Sequence, residues 1–239
     1  MAGPGVTVIA GGGDAARLER ELEVLAGSAT AILSSGLAGA LDPALKVGDV
    51  VIGTECFLAA DRSPAKAGVQ LQQPDRAPAF AGEPEEERSG TGDLARKLSK
   101  LLIGVHIGLV AASDHPLAAA EAKAALFAKS GALAVDMESH IAKQVAKRHG
   151  LPFAALRVIS DPADTTLPPA ALAGMRPDGG IAIGAVLASL AQNPSQLPAL
   201  IRTARDAEKA FRALRRVHDM LRCFGIGRLD TGKLALDMA

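Results

Sequence analysis

Residues 132–164 read ALAVDMESHIAKQVAKRHGLPFAALRVISDPAD. The short apolar run 132–135 predicts a strand that leads directly into a helix over 137–149. Gly150 and Pro152 punctuate the end of that helix. The apolar run 153–160 predicts the next strand, and Asp161 follows it directly. Two strands around one helix are the repeating unit of an α/β sheet.

The same alternation extends outward in both directions. Toward the N-terminus, Val6–Ala10 predicts a buried strand, followed by the glycine turn Gly11, Gly12, Gly13. A helix over 14–26 comes next, with Asp14 as its cap, Leu18, Leu22 and Leu25 on one face, and Gly27 as its stop. Strands are predicted over 30–34, 49–53 and 103–112, and an alanine-rich helix over 117–129, stopped by Gly131. Residues 61–92, with several prolines, EPEEER and SGTG, read as a long surface loop near a site. After Asp161 a Pro- and Gly-rich connection leads to helices over 181–192 and from 195 to about Cys223. The expected fold is α/β: a single domain with a central mixed sheet flanked by helices and a helical C-terminal appendage. Residues 1–192 form the domain and 193–239 the helical extension.

Composition excludes several functions. The 239 residues are 49% hydrophobic, which fits a packed globule rather than a disordered chain. Twenty-six basic residues balance 26 acidic ones, so the basic excess of a nucleic-acid binder is missing. Trp and Tyr are absent and Phe occurs six times, which removes the stacking platforms of single-strand binders. Cys56 and Cys223 cannot build a disulfide framework and suit a reducing compartment. The N-terminus lacks the charged region and apolar run of a signal peptide, and no run has spanning length, so the expected location is the cytoplasm. The histidines (106, 115, 140, 149, 218) show no metal-ligand spacing, and no metal is expected.

Four constellations carry candidate chemistry. The glycine turn 11–13, with Asp14, Ala15 and Ala16, spells GxGxxA between a strand and a helix, a pattern that brings phosphate to the backbone. The second strand, however, ends Leu33, Ser34, Ser35 without the ribose-binding acid of a dinucleotide site, so a plain tight turn explains it too. The stretch SSGLAGALDPALKVGDVV, residues 34–51, places small residues after a strand, where open α/β sheets bind ligands. Crowded packing gives the same pattern. AVDMESH, residues 134–140, delivers Asp136, Met137 and Glu138 to a helix start, where acids also simply complement the helix dipole. In FAALRVISDPAD, residues 153–164, Arg157 interrupts an apolar strand, so it is expected to be buried with an acidic partner. Asp161 stands at the strand end, where α/β catalytic residues sit, although Asp-Pro also starts turns. His115, in ASDHP, lies in a strand-end loop within reach of a ligand.

Together, in this order and spacing, SGLAGALDPALKVGDVV, AVDMES and RVISDPAD resemble the nucleoside phosphorylase and methylthioadenosine/adenosylhomocysteine nucleosidase superfamily, over about residues 5–190. Within it, GGGDAARL, DMESHIA, GLPFAALRVISDPAD, LPPAAL and RPDGGI resemble the hopanoid-associated phosphorylases. That branch is implicated in removing adenine from adenosylhopane. The resemblance implies that Asp161 protonates or hydrogen-bonds purine N7 as the glycosidic bond breaks, which requires it to hold or share a proton near neutral pH. It implies that Asp136, Met137, Glu138 and Arg157 belong to the substrate-binding site, where Glu138 binds the ribose hydroxyls, Met137 packs against the sugar, and Arg157 orients the acidic residues. Ala38 and Gly39 would line the site, Ser113, Asp114 and His115 would lie near the base, and the glycine turn would contribute weakly to phosphate binding. No cofactor is implied; phosphate would be a co-substrate.

The match departs from the family at two places. Leu37 stands where the family usually has Ser or Thr to meet phosphate, so water is a rival nucleophile. The family's opening strand, nucleophile-side loop and helix have no counterpart before Val6, so a nearly inactive or purely nucleoside-binding chain is the other alternative, and a gap is expected in the sheet. A homo-oligomer and a lipid-linked nucleoside substrate are also implied. The basic, amphipathic stretch 202–223 is compatible with peripheral contact at an anionic inner membrane face.

Overall fold

The computed structural model describes residues 5–11, 14–59, 85–176, 180–223 and 233–238, with the backbone alone over 85–92 and 233–238. Gly12, Gly13, most of the expected loop 61–92 and the DGG triplet 178–180 up to residue 179 lie outside the described residues. The elements follow the chain as β1 (Val6–Ala10), α1 (Ala15–Ala26), β2 (Ala29–Ala40), β3 (Val50–Leu58), α2 (Glu85–Leu101), β4 (Val105–Ala112) and α3 (Ala120–Ser130). They continue as β5 (Ala134–Asp136), α4 (Ser139–Arg148), β6 (Phe153–Asp161), α5 (Pro169–Gly174), α6 (Ile183–Gln192), α7 (Leu197–Cys223) and β7 (Lys233–Met238). This is an α/β domain with a central mixed sheet flanked by helices and a long helix near the C-terminus.

β2 organises the sheet. Along its length it pairs with β6 in parallel, with β7 in parallel over its first half, and with β5 antiparallel at its end. β6 pairs antiparallel with β3, β3 parallel with β4, and β4 parallel with β5. The pairings therefore run β2, β6, β3, β4, β5 and back to β2, a ring in which each strand has a neighbour on both sides. β7 and β1 extend outward from the first half of β2.

Alternation along the strands feeds two cores. Ile32 of β2 and Phe153, Ala155 and Ile159 of β6 pack with Leu18 and Leu22 of α1 and with Ile141 and Val145 of α4. Ala31 and Leu33 of β2 and Ala154, Leu156 and Val158 of β6 pack on the other face with Leu94 and Leu98 of α2 and with Leu214 and Val217 of α7. The period of two in the strands assigns each residue to its face. α1 starts as expected, with the Arg17 N–H donating to Asp14 Oδ1 at 2.9 Å.

The structure differs from the sequence reading in four places. The small-residue stretch is strand, not loop: β2 runs on to Ala40, because a run of Ser, Gly and Ala fits between β6 and β5 without crowding. Residues 85–92, read as loop, begin α2; the acid-rich start after Pro84 is a helix N-terminus signal. The segment 193–239 is not helical throughout, since KLALDM alternates and forms β7. Nor is there an unpaired gap beside β2: β7 lies between β1 and β2, with Val6 opposite Leu234 and Ile32 opposite Ala235.

Candidate active site

Arg157 is wholly buried in β6, and its burial is matched by an acid, as the sequence requires. Its Nε donates to Asp136 Oδ2 at the end of β5. Its Nη2 donates to Ser34 Oγ of β2 at 2.6 Å. Ser139, in the first turn of α4, adds its hydroxyl to Asp136 Oδ2 and its N–H to Asp136 Oδ1, the latter at 3.3 Å. Asp136 thus turns inward to Arg157 and Ser139, a counter-ion inside the sheet. Cys56 of β3 lies nearby; burial, then the Asp136 carboxylate, pushes its thiol up to about 12.

Asp161 closes β6 beside a β-bulge. Ile159 faces Ala38 and Asp161 faces Gly39, so Ser160 is the extra residue. Bulges re-aim the strand end and recur beside functional sites. The Ser160 hydroxyl reaches Asp161 Oδ1 at 2.8 Å and the Ala38 carbonyl at 3.2 Å. The other carboxylate oxygen, Oδ2, accepts from Lys123 Nζ of α3 at 2.5 Å. Gly39 gives room here: a Cβ at that position would lie 3.0 Å from Asp161 Oδ2, closer than ordinary contact. The Asp161 side chain keeps 13% of its surface exposed, whereas Lys123 keeps none.

The sheet register brings the remaining candidates to the same end. Gly39 faces Asp161 on one side and Val135 on the other, and Asp136 faces Ala112, the last residue of β4. The Ser113 N–H donates to the Asp136 carbonyl at 2.8 Å, which ties the loop holding Asp114 and His115 to β5; both of those residues are exposed. Met137 is half-buried. Glu138 is buried and stands at the start of α4, its carbonyl accepting from the Ile141 N–H at 3.0 Å. Ala38 and Gly39 belong to β2. Leu37 packs toward the α2 and α7 core, on the opposite face from Ile32. Gly11 is buried just after β1. No group of His, Cys, Asp and Glu suited to a metal ion occurs among the described residues.

Lys123 was not singled out from sequence, although Leu126, Phe127 and Ser130 stand three, four and seven residues on, the spacing of an inward stripe. On the opposite face of the sheet the half-buried His218 of α7 meets Ser35 of β2, Nε2 to Oγ at 2.8 Å. Burial holds its ring below the usual imidazole range.

Charged side chains gather at the carboxyl end of the central parallel pair of this mixed α/β sheet, the end at which sheets of this class bind ligands. The family model for the phosphorylase superfamily matches residues 5–191, and the chain belongs to that superfamily. Among solved structures it is similar to the MTA/SAH nucleosidase of Streptococcus pneumoniae in complex with 8-aminoadenine, at 20% identity over 83% of this chain and 77% of that one, TM-score 0.48. It is also similar to the 5'-methylthioadenosine/S-adenosylhomocysteine nucleosidase of Helicobacter pylori, at 21% identity over 84% and 73%, TM-score 0.44. A third similarity is to the futalosine hydrolase of Helicobacter pylori, at 25% identity over 60% and 63%, TM-score 0.42. No helix among the described residues is long and apolar enough to cross a membrane.

Proposed function

We propose that this chain cleaves the N-glycosidic bond of a purine nucleoside. The observation that carries this reading is Asp161: a nearly buried carboxyl at the end of the central strand β6, aimed by a bulge and held against Gly39 and Lys123. As the bond from the sugar to purine N9 breaks, its electron pair passes to the base, and a proton from Asp161 at N7 neutralises that charge. Such general acid catalysis typically contributes about 10²–10⁴ in rate. The sugar becomes cationic and takes an oxygen nucleophile. Glu138 holds the ribose hydroxyls and favours that cation, Met137 packs against the sugar, and Ala38 and Gly39 form the floor. Ser113, Asp114 and His115 flank the base. Arg157 fixes Asp136 and, through it, the start of the helix that presents Glu138.

The finer reading is a phosphorylase acting on an adenosyl substrate of hopanoid metabolism, adenosylhopane, with phosphate as the nucleophile and no further cofactor. The competing reading is a hydrolytic nucleosidase. It is favoured by Leu37, which brings no hydroxyl and packs toward the α2 and α7 core. A chain that binds nucleoside without turnover is the third outcome. Adenine release from adenosine and an adenosyl-lipid, with and without phosphate, separates them. Release that depends on phosphate supports the phosphorylase, release without phosphate the nucleosidase, and binding without release the third. A lipid-linked substrate would call for peripheral contact at a membrane face, and assembly into a homo-oligomer accompanies this reading.

A further inference from the structure

We propose that Lys123 is the positioning residue of Asp161: it fixes which carboxylate oxygen faces the substrate and the orientation in which that carboxyl meets it. The inference rests on the role proposed above for Asp161.

Lys123 is wholly buried, and an ammonium is buried only when its hydrogen bonds are met. Its three N–H donors have three acceptors: Asp161 Oδ2 at 2.5 Å, the Thr165 carbonyl at 2.9 Å and the Pro162 carbonyl at 3.0 Å. Two acceptors belong to the loop after β6, so one side chain holds that loop and the aspartate as a unit. The loop returns the contact, since Thr166 Oγ1 accepts from the Ala120 N–H at 3.1 Å where α3 has no side-chain cap of its own. With Oδ2 taken by Lys123, Oδ1 is left to the Ser160 hydroxyl and to a substrate atom. A substrate base therefore meets one oxygen in one orientation.

Around this pair, Arg157 donates to Asp136, Glu138 stands at the start of α4, and Asp164, Asp114 and His115 are exposed in the loops after β6 and β4. Among the described residues it is Lys123 that is paired with the Asp161 carboxylate.

The test compares Lys123→Met, which removes the donors, and Lys123→Arg, which keeps them, with the unmodified chain in steady-state cleavage of adenosine. In Lys123→Met we expect kcat to fall about tenfold or more with KM little changed, and in Lys123→Arg we expect it to return. Normal kcat in Lys123→Met, or a fall that Lys123→Arg does not restore, overturns the proposal and leaves Lys123 a purely structural tie. A second measurement does not need turnover: a crystal structure of Lys123→Met, in which the Asp161 carboxylate should leave its place beside Gly39. A carboxylate that stays in place also overturns the proposal. If the chain cleaves no nucleoside while the carboxylate does move, the functional reading falls and the control of Asp161 by Lys123 stands. If Lys123→Met does not fold, Lys123→Arg is read alone against the unmodified chain, and loss of kcat there with native stability overturns the proposal.

Discussion

Ser34 and Ser35 are consecutive in β2 and serve opposite faces of the sheet: the hydroxyl of Ser34 accepts from Arg157, and that of Ser35 meets His218 of α7. The pleat sends successive side chains to opposite sides, so one dipeptide anchors the buried charge network on one face and the long helix on the other. Consequences for the site and for stability can be measured separately.

Asp161→Asn keeps the shape of the side chain and removes the titratable proton. We expect nucleoside cleavage to fall about 10²-fold or more, with an unfolding midpoint close to that of the unmodified chain. Near-normal turnover in the folded variant would remove Asp161 from the chemistry.

Glu138 is proposed to hold the ribose hydroxyls. A site built to bond a hydroxyl rejects the analogue that lacks it, because its acceptor is then left unpaired. The unmodified chain is expected to prefer adenosine over 2'-deoxyadenosine, and Glu138→Gln to lower activity on the riboside and narrow that preference. Equal kcat/KM for both substrates in the unmodified chain rules the role out.

Arg157→Met leaves the Asp136 carboxylate buried without its cation. Removing one partner of a buried pair costs about 3–5 kcal/mol, which denaturant unfolding reads directly. Arg157→Met combined with Asp136→Leu should recover part of that loss; a double variant as unstable as the sum of the singles would show that the two side chains do not act as a pair.

The two cysteines should differ in reactivity. Cys56 is buried and its thiol is pushed up to about 12, whereas Cys223 is exposed. The thiolate is the reactive form, so a thiol reagent near pH 8 should modify one cysteine in the native chain and two after denaturation. Rapid labelling of Cys56 in the folded protein contradicts its place in the core.

His218 gives stability a pH dependence. Unfolded, its ring takes up a proton near the usual value of about 6.5; folded, burial delays that to lower pH. As pH falls through about 6.5, the unfolded state gains a proton that the folded state resists, and stability declines. His218→Gln should flatten that decline, and an identical pH dependence in the variant would clear His218 of any part in it.

Much of this architecture was legible in the residues. The strands of β1 and β6 and the capped start of α1 follow from short β-branched runs and from Asp14, and an arginine inside an apolar strand announces a buried acid. The failures share a cause. SSGLAGA carries no periodicity, since small residues suit a loop and a crowded strand equally, so the pairing of Gly39 with both Asp161 and Val135 decides its state. KLALDM is a six-residue signal whose partners lie at the other end of the chain. Lys123 was missed because composition marks lysine as surface, while the helical stripe that points it inward is made of residues of mixed polarity.

β5 has three residues, of which Val135 and Ala134 pair with β2. In a ring of strands, local opening starts at the segment with the weakest ladder, and by backbone count that is β5. Its side chains alter the balance. To swing β5 outward, the chain must part Asp136 from Arg157 and Ser139, leaving the guanidinium inside the sheet without that acid. The ring is therefore latched by a charge pair where its ladder is shortest, and amide hydrogens of β5 should exchange with solvent as slowly as those of β2 and β6 until that latch is cut.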